Sequence, residues 1–97
     1  MAIMSVVHLR LTGDVERALV LLHERLAATR ERKGCLRAET VQGREDSGHI
    51  VLLETWESPE DEAAYRKWRA EEPPNPEWRA FVAAAPEVWN FTLRDDV

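Results

Sequence analysis

His49-Ile-Val-Leu-Leu-Glu-Thr-Trp56-Glu-Ser-Pro-Glu-Asp61 is the stretch whose reading decides the fold. Ile50 to Trp56 is apolar and β-branched, as a strand requires. Ser58 then suits a helix cap and Pro59 a first helical position, while Glu60 and Asp61 put negative charge on the first turn. A strand ending in Trp56 therefore turns at once into a capped helix. Alternation places Ile50, Leu52, Glu54 and Trp56 on one face of that strand and Val51 and Leu53 on the other. An antiparallel sheet covered on one side only is polar on its free side. Here both sides carry apolar residues, which predicts a homodimer joined sheet face to sheet face.

Upstream, Met1 to Leu11 reads as a first strand, with Val7, Leu9 and Leu11 opposed to His8 and Arg10. Asp14 suits a cap, and Val15, Ala18, Leu19, Leu22 and Leu26 recur at helical spacing, with Glu16, Arg17, Glu24 and Arg25 off that stripe. Gly34 is a natural left-handed stop. Cys35 to Gln42 reads as a second strand, alternating Leu36, Ala38 and Thr40 against Arg37 and Glu39. The polar Gly43 to Gly48 turn makes it a hairpin with the third strand.

Downstream, a second helix over Pro59 to Ala70 has a short apolar side of Ala64, Tyr65 and Trp68. Glu71 to Pro76 breaks it, Asn75-Pro76 starts another, and Trp78, Phe81, Val82 and Ala85 form one helical face before Pro86. Val88 to Arg94 closes the chain as a strand alternating Trp89, Phe91 and Leu93 against Asn90, Thr92 and Arg94. The order β-α-β-β-α-(α)-β predicts an α+β, ferredoxin-like four-stranded antiparallel sheet with helices on one face.

Ninety-seven residues, 44% hydrophobic and 32% charged, fit one globular domain over residues 1–97. The net charge is −5 with cations and carboxylates interleaved, so no basic surface points to nucleic acid. No apolar run approaches a membrane span, and no basic start precedes a long apolar run as in a signal peptide. The single Cys35 excludes an internal disulfide and fits a reducing compartment. The expectation is a soluble, cytoplasmic protein.

Most catalytic constellations are missing. The four glycines are isolated, so there is no phosphate loop, and His8, His23 and His49 lack metal-ligand spacing. Cys35 reads as a small buried apolar residue rather than a nucleophile. The unusual feature is aromatic: Trp56, Trp68, Trp78 and Trp89, joined by Tyr65, Phe81 and Phe91. Such residues at regular spacing fill cores, the reading that suits Phe81 and Phe91. Several indoles around one region can instead line a flat pocket for an aromatic ligand.

Gly34-Cys35-Leu36, the run from Ile50 to Ser58 and the acidic helix start after it resemble the antibiotic biosynthesis monooxygenase family. Within that run Glu54-x-Trp56-Glu57-Ser58 is the specific part. The resemblance implies a dimeric α+β barrel with Trp56 bordering a pocket between sheet and helices. It also implies oxidation of a phenolic, quinol or polyketide-anthrone aromatic by molecular oxygen, with no metal, flavin or haem. Such a site must hold a planar aromatic, favour its anion and exclude water from the intermediates.

Tyr65, Trp68, Trp78, Phe81 and Trp89 are the candidate substrate-binding residues, and Trp56, His49 and Arg37 the candidate catalytic ones, with His8 a further base candidate. Each of these last three can equally be a solvated edge residue, and Arg37 can be ion-paired. Glu54 shares a face with Trp56, so it is either paired with an arginine, Arg37 being the partner considered, or raised in pKa. Haem-degrading members of the superfamily use an Asn on the first strand and a helical His. Here the first strand offers Ser5 and His8, and no histidine lies between Ser58 and Ala85, so haem lacks its axial ligand. Pro73 to Pro76, between Trp68 and Trp78, can act as a lid. The alternative function is a non-catalytic ligand-binding or assembly module.

Overall fold

The computed structural model describes all 97 residues: β1 (Ile3–Arg10), α1 (Val15–Arg30), β2 (Cys35–Gln42), β3 (His49–Trp56), α2 (Pro59–Glu71), α3 (Pro76–Phe81) and β4 (Glu87–Thr92). The strands form one antiparallel sheet in the order β2-β3-β1-β4, the ferredoxin-like arrangement. In register, Ile3 opposes Trp56, Ser5 opposes Glu54 and Val7 opposes Leu52. Those residues and Leu9 and Ile50 form the buried face beneath the helices, while Met4, Val6, His8, Val51 and Leu53 face the other way, half-buried. No helix is long and apolar enough to cross a membrane.

All three helices start where the sequence places their caps. The carboxylate of Asp14 accepts from the Arg17 amide (3.1 Å), Ser58 Oγ from the Asp61 amide (3.1 Å), and Asn75 Oδ1 from the Trp78 amide (3.2 Å). Pro59 and Pro76 occupy first turns, where a missing N–H costs nothing. From α1, Ala18, Leu21, Leu22 and Leu26 enter the main core against Val7, Leu9, Leu11, Ala38, Ile50, Leu52 and Trp78. Ile3, Trp56 and Tyr65 form a smaller cluster at the other end of the sheet.

Several expectations need correction. β2 does not alternate evenly: a bulge between Cys35 and Arg37 leaves Leu36 unpaired and 60% exposed, so Ala38 alone of that strand is buried. The last helix ends at Phe81, four residues short of Ala85, because Val82 turns extended to bridge Leu11 and the Ala83 amide donates to the Arg10 carbonyl (2.8 Å). The inner side of α2 is not apolar, since Ala64 is exposed and the buried residues are Glu62 and Tyr65. The α1 helix stops at Arg30, four residues before Gly34.

Gly34 (φ +84°) turns the chain into β2, and its carbonyl accepts from the Glu57 amide (2.8 Å), tying the α1–β2 turn to the start of α2. A Cβ there would overlap the Asp61 side chain. Both the left-handed backbone and that clash oppose substitution, so Gly34→Ala is expected to cost about 1–3 kcal/mol, read as a drop in thermal midpoint. An unchanged midpoint would mean that this corner is not held as described.

Candidate functional site

A cavity of about 290 Å³ opens between the sheet and the helices. Its sheet side is Val7, Leu9, Leu52, Glu54 and Val88, and Trp78 and Pro86 lie on the α3 side. From α1 come Leu22, Arg25, Leu26 and Thr29, and from α2 come Tyr65, Arg66 and Arg69. The volume is at the small end for ligand sites, and the lining combines apolar surface with a few convergent polar groups, as such sites do.

Glu54 forms the acidic end. It is 1% exposed, a charge position that needs a partner. That partner is Arg66, not Arg37: Arg66 Nη2 donates to Glu54 Oε1 at 2.5 Å and its Nε to Glu62 Oε2 at 2.6 Å. Glu62, 4% exposed, also accepts from Ser5 Oγ (3.0 Å). The Trp56 indole N–H points at Glu54 Oε1 over 3.4 Å. Burial pushes the Glu54 pKa above the ordinary glutamate value, against the opposing pull of Arg66 and Trp56. Both alternatives raised for Glu54 therefore hold together.

The other end is cationic. Arg69 Nε donates to Tyr65 Oη (2.9 Å), and its Nη2 to the Arg25 carbonyl (2.7 Å) and Thr29 Oγ1 (3.1 Å). Thr29 Oγ1 lies 3.1 Å from the Arg25 carbonyl, to which it can donate, and 2.8 Å from Tyr65 Oη, a hydroxyl pair in which either oxygen can be the donor. Arg25 lies with its guanidinium 5.0 Å from the Trp78 ring centroid.

Of the residues singled out in the sequence, Tyr65 and Trp78 line the cavity. Trp56 is on the expected face but 0% exposed, packed on Tyr65 with ring centroids 4.8 Å apart, behind Glu54 rather than at the surface of the cavity. Trp68 lies outside, between the Arg32 and Arg69 guanidiniums (4.4 and 4.8 Å). Phe81 packs on the main core and against Gly13.

Three others sit on the opposite side of the sheet. His49 pairs with Arg10 and its Nε2 lies 3.3 Å from His8 Nδ1. Trp89, 51% exposed, packs on His8 with centroids 4.9 Å apart. Arg37 opposes Thr55 and pairs with Glu39. Alternation explains these placements, since each is out of phase with Glu54 and Trp56 or their register partners. The residues missed are the arginines, Arg25, Arg66 and Arg69, and with them Thr29. Their signal was a charged helical face, Glu62, Tyr65, Arg66 and Arg69, at spacings of three and four.

A ferredoxin-like sheet whose helices roof a cavity with a buried carboxylate and aromatic walls defines a small-molecule-binding α+β protein. The model of the family described as antibiotic biosynthesis monooxygenase matches residues 2–84, and the chain belongs to that family. Among solved structures it is similar to SnoaB, a cofactor-independent oxygenase from Streptomyces nogalater (18% identity, TM-score 0.75, 97% of this chain and 94% of that one). It is also similar to a conserved protein from Methanosarcina mazei Go1 (15%, 0.77, 97% and 94%) and to Rv0793 from Mycobacterium tuberculosis (20%, 0.73, 98% and 97%). At these identities the likeness is one of fold. No curated protein matches the chain.

Arg66→Met removes the one cation between two buried carboxylates and is expected to cost about 3–5 kcal/mol near neutral pH. Without Arg66 the folded-state pKa of Glu54 rises further above its unfolded value. A raised folded pKa contributes stability that is complete below the unfolded value and lost as pH rises through the folded one. The deficit of the variant should therefore shrink on acidification towards about pH 4, as Glu54 takes up a proton in the unfolded chain as well as the folded one. Thermal unfolding across that range checks the sign, and a deficit that grows on acidification would contradict the pairing.

Proposed function

We propose that this chain, acting as one domain over residues 1–97, is a cofactor-independent monooxygenase. Its substrate is a phenolic, quinol or polyketide-anthrone-type aromatic, which it oxidises with molecular oxygen in the cavity beneath the helices. The observation that carries this reading is Glu54, a buried carboxylate with a raised pKa at the end of an aromatic-walled cavity, in a chain of this family. No histidine lines the cavity, arginine holds its proton at any working pH, and the Tyr65 hydroxyl is already bonded to Thr29 and Arg69. Glu54 is thus the group there suited to accept a proton, and a raised pKa makes it a better base near neutrality.

The chemistry balances without a resident redox group. Glu54 takes a proton from the activated carbon or hydroxyl, and the resulting anion passes electrons to oxygen. A carbon–oxygen bond forms to give a hydroperoxide, which loses water to leave the quinone. One oxygen atom ends in product and one in water. Trp56 acts through Glu54, since its indole N–H favours the carboxylate form. Tyr65 and Trp78 supply ring surface for a planar substrate.

Oxygen uptake with anthrones and hydroquinones tests this, and kcat/KM should rise with pH through a value above the ordinary carboxylate range. Glu54→Gln should lower it by about 10²-fold or more and remove that rising limb. Trp56→Phe should move the limb to higher pH, because it withdraws a bond that lowers the Glu54 pKa. His49→Ala, on the far face, should leave turnover unchanged. Full activity in Glu54→Gln with loss in His49→Ala would transfer the chemistry to the open face.

The same reading includes a homodimer, working in the cytoplasm where Cys35 stays a thiol. Met4, Val6, Leu53, Trp89 and Phe91 share the uncovered side of the sheet, with Trp89 and Phe91 about half exposed, an apolar surface that a second copy would cover. Sedimentation equilibrium should give twice the 11.2 kDa chain mass, and Leu53→Glu should give monomers. A wild-type monomer at micromolar concentration would rule this out.

A further inference from the structure

The steps set out above assign no task to the cationic end of the cavity. Arg66 is neutralised by Glu54 and Glu62, but neither Arg25 nor Arg69 has a carboxylate within salt-bridge distance. Arg69 spends its recorded hydrogen bonds on neutral oxygens, and the Arg25 guanidinium makes none within the protein. The two charges work against each other: burial and the Arg69 charge both push the Arg25 pKa down, outweighing the opposite pull of Tyr65 and Glu72. In a chain of net charge −5, two unpaired, partly buried guanidiniums line one cavity. Keeping like charges together out of bulk water is unfavourable unless an anion joins them.

We infer that the cavity selects planar aromatic acids, with the ionised group of the ligand held by the Arg25 and Arg69 guanidiniums and its ring against Trp78 and the apolar sheet wall. Arginine suits this task, because its fork of N–H donors matches a carboxylate, and the Arg25 guanidinium already lies over the Trp78 ring. Glu54 at the opposite end repels a second negative charge, which orients the ligand acid-end towards α1. The inference rests on the cavity being the substrate site of the proposed oxygenase and names the acidic group of that substrate. The anionic oxygen can belong to a carboxylate or to an acidic enol, and the ligands tested separate the two.

Calorimetric titration of the intact protein with 2-naphthoate and with 2-naphthamide, which match in shape but differ in charge, provides the test. The acid is expected to bind about tenfold tighter or more, with the preference weakening as salt rises. Arg25→Gln should abolish most of that preference, weakening the acid far more than the amide, and Arg25→Lys should keep part of it. Arg25 makes no side-chain hydrogen bond in the protein, so circular dichroism of these variants should match the wild type. A third ligand, 2-hydroxy-1,4-naphthoquinone, carries its charge on an enol oxygen. Binding as tight as the naphthoate marks the site as reading any anionic oxygen, and weaker binding marks it as reading a carboxylate.

Equal affinity for acid and amide, no binding of any of the three at millimolar concentration, or a preference unchanged in Arg25→Gln would each overturn the inference. Acid preference without any oxygen uptake would retain it and remove the oxygenase reading instead.

Discussion

Two buried carboxylates held by one guanidinium decide how this small domain is put together. Glu54 belongs to a central strand and Glu62 to α2, and Arg66 is the cation that both carboxylates share. Ser5 on β1 extends the link, its one hydroxyl proton lying within reach of both Glu62 Oε2 (3.0 Å) and Asn90 Oδ1 on β4 (2.7 Å). A helix with few inward apolar residues is thereby fixed over the sheet by charge and hydrogen bonding. That arrangement tolerates less change than a hydrophobic seam, because removing one member strands the others. It also leaves a polar wall facing the space beneath the helix, where close-packed aliphatic side chains would have closed the cavity.

The fold was legible because its signals are local and repeat. The caps at Asp14, Ser58 and Asn75, the alternation in β1 and β3, and the strand-to-helix corner at Trp56 each follow from short-range chemistry. Errors arose where one residue interrupts a period. Leu36 bulges out and leaves the face it was expected to share with Ala38 and Thr40, and Val82 turns extended to meet Leu11, so α3 stops early. No composition rule marks either event.

The site was less legible for a different reason. Reading hydrophobic periodicity directs attention to apolar faces, whereas the wall of this cavity on α2 is Tyr65, Arg66 and Arg69. In sequence those arginines look like a solvated surface, and Arg25 looks like part of the polar side of α1. The tryptophans, more conspicuous in the sequence, divide among four environments: Trp56 sealed in a small core, Trp78 on the cavity, Trp68 between two arginines, and Trp89 on the far side of the sheet. Side-chain type alone cannot separate these. The useful clue was negative, since a helix as short of apolar residues as α2 must bury something else.

The bulge at Leu36 bears on how the molecule avoids its neighbours. β2 is an edge strand, with one row of backbone donors and acceptors free to pair with any passing strand. At Leu36 that row falls out of step, and the charged pair Arg37–Glu39 follows immediately along the same edge. A strand docking there would lose its register within a few residues and bury charge. Lateral growth of the sheet into a continuous ribbon is thus blocked along this edge by one extra residue.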